Sequence, residues 1–144
     1  MTSLLTLLAH SIGASGMVGG QTMDMGFGKP MDSVENLQKM HQGKTGALIS
    51  AAVEGAGLIH RSPANSTSAL RELGGLIGLA FQSKDDLLDM QEDDPRSYIR
   101  FLGVEGTQKA LDRVNELAEE CIEELPSTCA PLKNFITANN LRNK

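Results

Sequence analysis

The chain has no Trp, one Tyr and four Phe among its 144 residues, too few flat rings for a platform on which nucleobases could stack. Positive charge is scarce too. Thirteen Lys and Arg stand against eighteen Asp and Glu, a formal net charge of -5, and no basic stripe runs along any segment. Nucleic acid is excluded as a partner on both counts. Cysteine is limited to Cys121 and Cys129, which form no CxxC and have no His beside them, so no zinc site is written here. A buried thiol in a reducing compartment is expected at Cys121. Leu4, Leu5, Leu7 and Leu8 imitate the apolar stretch of a signal peptide, but the first Lys or Arg is Lys29, so the basic leading region is missing. No apolar run reaches the roughly 18–20 residues of a membrane span. These absences lead to the expectation of a soluble, cytoplasmic chain without a membrane span.

Strand signals are missing as well. Alternation is absent and β-branched residues are sparse, so the sequence reads as all-α. Five stretches carry helical spacing. Residues 3–25 form the first, capped by Thr2 or Ser3, with Leu4, Leu5, Leu8 and Ile12 expected inward. Its four glycines from Gly13 to Gly20 each cost roughly 1 kcal/mol relative to Ala, tolerable where another helix or a ligand approaches the backbone. A turn at Gly26 to Met31, containing Lys29-Pro30, leads to a second long helix. Asp32 is expected to cap it and Glu35 to complete a capping box. Val34, Leu37, Met40, Leu48, Ala52 and Val53 mark its buried face, and Gly43-Lys44-Thr45-Gly46 interrupts it. The third helix starts at a Ser68 cap, buries Leu70, Leu73, Ile77, Ala80 and Phe81, and carries Gly74, Gly75 and Gly78 for close approach on one side. After a short link with Pro95, a fourth helix runs from about Gly103 to Leu125. Its Leu111, Val114, Ala118, Cys121 and Leu125 face inward, and its Glu119, Glu120, Glu123 and Glu124 face solvent. Pro126 stops it. A short last helix places Leu132, Phe135 and Ile136 inside and ends in a basic tail at Arg142 and Lys144.

The third helix ends in Asp85-Asp86-Leu87-Leu88-Asp89. One helical turn separates Asp85 from Asp89, and Asp86 neighbours Asp89, so three carboxylates share one edge. They repel one another and sit at the C-terminal end, where the helix dipole also disfavours them. Glu92, Asp93 and Asp94 add the same sign. A solvated acidic helix end is one reading. The other is a cation site, with magnesium the best match because it takes few carboxylates, keeps waters and shares phosphate oxygens. Lys44 likewise reads either as surface charge or as a point charge reaching a phosphate. The Gly43–Gly46 stretch is no P-loop, since its glycine spacing is wrong and no strand precedes it.

Three ordered segments together resemble the C-terminal half of the trans-prenyltransferases, the polyprenyl synthetases that include farnesyl and geranylgeranyl diphosphate synthases. They are Gly16-Met17-Val18-Gly19-Gly20-Gln21-Thr22-Met23-Asp24, His41-Gln42-Gly43-Lys44-Thr45-Gly46-Ala47-Leu48-Ile49, and Gly78-Leu79-Ala80-Phe81-Gln82-Ser83-Lys84-Asp85-Asp86-Leu87-Leu88-Asp89. The resemblance implies a single partial domain over 1–144, about five helices forming the C-terminal half of the isoprenoid synthase fold. It implies Mg2+ held by Asp85, with Asp86 and Asp89 in support, bridging to an allylic diphosphate. Ionisation there gives an allylic cation, which the double bond of isopentenyl diphosphate attacks. Lys44 holds the diphosphate on this analogy, Thr45 turns its backbone carbonyl to the cation, and Gln82 lines the site with Gln21 and Asp24. Two departures matter. The family's first aspartate-rich motif has no counterpart here, and its Gly-Lys-Ser/Thr-Thr-Tyr loop is shortened to Asp94-Pro95-Arg96-Ser97-Tyr98, where Arg96 is the only stand-in for the loop lysine. The expectation is therefore a truncated synthase, inactive alone, that is completed by its missing half or by forming a homo-oligomer. The rival is a non-catalytic helical partner of a synthase or of itself.

Overall fold

The computed structural model describes residues 2–28, 30–90 and 93–143, with the backbone alone at residue 2. Lys29, Glu92 and Lys144, invoked above, lie outside the described residues, as does the side chain of Thr2 proposed as a cap. Every regular element among the described residues is helical. They are α1 (Thr2–Ile12), α2 (Met17–Asp24), α3 (Val34–His41), a π-helical turn (Gln42–Gly46), α4 (Ala47–Ile59), α5 (Ala64–Asp89), α6 (Tyr98–Glu123), a 3-10 turn (Ser127–Leu132) and α7 (Lys133–Leu141). Grouped by near-continuous runs these give the five helical stretches of the sequence reading.

The boundaries moved for identifiable reasons. The first stretch breaks into α1 and α2 at the bend around Gly13–Gly16. Ser33 rather than Asp32 caps α3, its hydroxyl accepting from the Asn36 N–H at 3.2 Å, while Asp32 Oδ1 takes the Asn36 side-chain amide at 2.9 Å. α5 begins at Ala64, directly after Pro63, and Ser68 is an exposed residue within it. Pro63 supplies the extended residue before the first turn without any side-chain cap. α6 starts five residues before Gly103, capped by Ser97, and bends where Gly103 takes φ +68°, a conformation open to glycine.

α5 is the central element, with α4 along one side and α6 along the other. Leu70 and Leu73 of α5 pack on Ala118 and Ile122 of α6, on Leu125 and on Ile136 of α7. Further along, Ala80 meets Leu111 and Val114. Leu37 and Met40 of α3 pack on Tyr98 at the start of α6. Cys121 and Cys129 are free, half-buried thiols, and burial pushes Cys121 above the ordinary thiol range.

Several residues expected inside are outside. Leu4, Leu5, Leu8 and Ile12 form an exposed apolar face on α1, with Leu5 at 63% exposure. Ala52 is exposed, as are Phe81 and Phe135. Their helical spacing is right, but spacing identifies an apolar stripe and not the surface that covers it. Glu119, Glu120, Glu123 and Glu124, at the end of α6, are exposed as expected.

Candidate functional site

The glycines place the site. A Cβ on Gly20 of α2 would stand 2.1 Å from the Lys44 backbone nitrogen, and one on Gly78 of α5 would stand 2.7 Å from Gly46 Cα. The π-turn is thus wedged between α2 and α5 at backbone contact. The sequence suggests an interruption at Gly43–Gly46, and the chain instead widens there without breaking, keeping α3, turn and α4 continuous. Such π-bulges recur at functional positions because they re-aim side chains that a regular helix would stack. Gln42, Lys44 and Thr45 are the side-chain-bearing residues of this turn.

Lys44 Nζ donates to Asp24 Oδ2 at 2.8 Å, joining α2 to the turn. Gln21, one turn earlier on α2, is exposed. Arg96 is exposed and tied to Asp94 through its Nε and its own backbone N–H, each 2.9 Å from Asp94 Oδ1. That guanidinium holds the Asp94 carboxyl below the usual carboxylate range. Arg96 also feels Asp24, and Asp94 feels Lys44, so the short loop and the π-turn share one electrostatic neighbourhood. On α5, Gln82 Nε2 donates to Asp85 Oδ2 at 3.2 Å. Asp85 Oδ1 meets Arg142 at 2.7 Å. Asp86 Oδ2 turns the other way and accepts the Tyr98 N–H at 2.6 Å. Asp89 is exposed at the helix end.

Among the described residues no three His, Cys, Asp or Glu side chains gather closely enough to hold a metal by themselves. The donor chemistry nonetheless suits magnesium. Burial, then the charges of Asp85, Asp94 and Asp89, push the Asp86 carboxyl up to about 6 despite its bond from Tyr98. A dication beside it would relieve that penalty. An ion that keeps its waters and completes its shell with phosphate oxygens needs fewer protein carboxylates than one caged by protein.

The sequence reading gives no role to His41 and Tyr98, which it names only within matched or compared segments, or to Arg142, which it names only in a basic tail. His41, last residue of α3, is 5% exposed with neither ring nitrogen hydrogen-bonded. Tyr98, 4% exposed, has an unpartnered hydroxyl, and burial raises its phenol above the ordinary range. The rings lie 5.2 Å apart. Arg142 reaches Asp85 from the far end of the chain. His41 directly precedes the Gln42–Gly46 turn in sequence, but nothing local says that it is buried. An apolar cavity of about 710 Å³ lies between α4, α5 and the C-terminal turn, lined by Ile49, Val53, Leu70, Ile77, Leu132 and Phe135. None of the candidate polar residues lines it.

The family pattern described as polyprenyl synthetase matches residues 2–97. The chain belongs to the polyprenyl synthetase family. A farnesyl diphosphate synthase of Micrococcus luteus is 32% identical over 99% of this chain and 54% of its own length. A geranylgeranyl diphosphate synthase of Cyanophora paradoxa is 31% identical over 97% of this chain and 53% of its own. The solved FPP/GFPP synthase of Zymomonas mobilis superposes with a TM-score of 0.85 at 26% identity, covering 96% of this chain and 50% of that one. This polyprenyl synthetase chain therefore spans about half the length of the relatives it matches. Its all-α architecture is theirs, and no helix among the described residues is long and apolar enough to cross a membrane.

Proposed function

We propose that this chain supplies the C-terminal half of a prenyl diphosphate synthase site, binding a magnesium diphosphate group without turning it over alone. The parent reaction is condensation of isopentenyl diphosphate with an allylic diphosphate. The observation that supports the reading is the π-turn held in backbone contact with α2 and α5, whose Lys44 pairs with Asp24 and whose charge reaches Asp94. Asp85, Asp86 and Asp89 would hold the magnesium, which when bound neutralises the diphosphate and favours its departure. Lys44 is poised rather than free: Asp24 keeps its ammonium extended until a phosphate oxygen competes for it. Thr45 offers its carbonyl to the developing allylic cation, and Gln82 orients Asp85 through its amide. Gln21 stands at the rim, and Arg96, held by Asp94, is a second charge on the loop. Fixed positive charge at the departing oxygens is the strongest stabilisation such a site can supply. Half of it binds and does not catalyse.

A second reading, a helical partner of a synthase subunit or of another copy, is favoured by the exposed Leu4, Leu5, Leu8 and Ile12 face. Melting with magnesium and pyrophosphate tests the first reading. The midpoint rises in the wild-type chain and does not rise in Asp85→Ala; an unchanged wild-type curve refutes the site. An assay with geranyl diphosphate and isopentenyl diphosphate is expected to give no product from this chain, and turnover would show that it needs no second half. Sedimentation as a dimer or larger supports the partner surface, and a stable monomer at micromolar concentration contradicts it.

A further inference from the structure

We propose that His41 is a positioning residue for the diphosphate site: its ring N–H holds the Gln82 carbonyl, so that the Gln82 amide nitrogen faces Asp85. The proposal deepens the reading above and rests on it for its binding consequence. The starting observation is a surplus of buried, unpartnered polar atoms. His41 Nδ1, His41 Nε2 and the Tyr98 hydroxyl are buried without a hydrogen bond, and the two rings lie 5.2 Å apart. An orphaned buried donor or acceptor destabilises the fold, and an apolar ring would fill the same space without that cost. Packing alone therefore gives no reason for an imidazole here.

The surroundings give one. The Gln82 side chain and the Arg96 backbone are the nearest groups able to accept from the ring, though neither is bonded to it, and the charges of Lys44 and Asp24 reach it. The ring thus lies within electrostatic reach of four candidate residues, from α2, the π-turn, α5 and the 94–98 loop. Burial and the Lys44 charge keep the ring neutral, and a neutral imidazole has a single N–H to give. Gln82 already donates to Asp85 at 3.2 Å, which leaves its carbonyl as the end available to His41. A small movement of either side chain closes that bond. With it closed, the amide cannot flip, and Asp85 keeps an N–H donor on Oδ2, while Oδ1, paired with Arg142, is the oxygen for which a ligand competes.

The test uses the full chain with His41→Phe and His41→Gln. Phe keeps the ring against Tyr98 and removes the orphaned nitrogens, so the melting temperature is expected to hold or rise. The Gln82 side-chain amide resonances, assigned by their loss in Gln82→Leu, are expected to shift, and magnesium pyrophosphate binding to weaken about tenfold or more. His41→Gln restores a donor and is expected to recover both. A purely structural role would instead lower the melting temperature and leave the Gln82 signals in place, which overturns the proposal. So does wild-type binding retained in His41→Phe. Should the wild type bind no magnesium pyrophosphate, the proposed function fails, and the Gln82 resonances still decide the His41 link. Independently of any variant, long-range nitrogen–proton spectra of the wild type are expected to show one neutral His41 tautomer. Two equally populated tautomers would overturn it.

Discussion

The Arg142 guanidinium stands 2.7 Å from Asp85 and 4.3 Å over the Phe81 ring, so the first aspartate of the acidic helix end has a cation from its own chain. Neighbouring contacts fasten the same junction: Asn139 donates to the Ala80 carbonyl, Lys84 to the Asn140 carbonyl and Asn115 to the Asn140 side chain. α7 is thereby docked onto the last turns of α5. A metal approaching Asp85 competes with Arg142. Because the pair is partly solvent-exposed, it contributes about 1 kcal/mol. Arg142→Gln is expected to lower the melting temperature by a few degrees while tightening magnesium pyrophosphate binding roughly fivefold, the same energy read in the other direction. Calorimetric titration checks this, and weaker binding would show that Arg142 helps the ligand.

Asp86 makes stability depend on pH with an unusual sign. Its folded carboxyl is raised from 3.8 to about 6, so between about pH 4 and pH 6 the folded chain holds a proton that the unfolded chain has released. Stability contributed by this group is therefore lost as pH rises through that window. Two units correspond to about 3 kcal/mol, reduced to about 1–2 kcal/mol because the side chain is only partly buried. Asp86→Asn keeps an acceptor for the Tyr98 N–H and removes the charge. It is expected to be more stable than wild type by about 1 kcal/mol at pH 7.5 and equal to it near pH 4. Urea denaturation at the two pH values measures the difference.

How much of this was legible beforehand depended on range. The all-α class and the face carrying Leu70, Leu73, Leu111 and Ala118 follow from periodicity, which is local. The order of Asp24, Lys44 and Asp85 along the chain is likewise local, and the family resemblance rests on it. What stayed hidden was set by contacts between distant segments. Asp85 meets a residue 57 positions away, and Asp86 turns toward the α6 N-terminus. The caps were missed because Asp32 and Ser33 are equally good cap residues, and only the entry angle of the chain chooses between them. The α1 leucines were misplaced because an apolar stripe looks the same whether covered or bare.

Glu54 is a further case of distant pairing. It is 4% exposed on α4, where its neighbours in sequence read as apolar, and Arg71 of α5 grips both its oxygens at 2.6 and 2.7 Å. The geometry is a bidentate fork. Arg71→Ala strands a buried carboxylate and is expected to cost about 2–3 kcal/mol, softened because Arg71 itself is largely exposed. Replacing both residues by Leu is expected to recover most of that loss. Chemical denaturation of the single and double variants decides the point, and equal losses in both would show that the fork matters for more than charge pairing.

Gly75 and Gly78 lie three residues apart on α5 and are expected to respond oppositely to the same substitution. A Cβ at Gly75 meets nothing within 4 Å, whereas one at Gly78 meets Gly46 Cα at 2.7 Å. Both are helical, so the gain in helix propensity from alanine is the same, about 0.5–1 kcal/mol. At Gly75 that gain stands alone and Gly75→Ala is stabilising. At Gly78 the added methyl drives α5 away from the π-turn, and overpacking of this kind costs about 1–3 kcal/mol, so Gly78→Ala is destabilising. The consequences for the site divide in the same way. Gly75→Ala leaves magnesium pyrophosphate binding intact, and Gly78→Ala weakens it, because the turn that carries Lys44 and Thr45 is displaced from the helix that carries Gln82 and Asp85. Melting curves with and without ligand separate the two effects. Equal behaviour of the two variants would show that backbone contact at Gly46 does not set the spacing between the lysine and the aspartates.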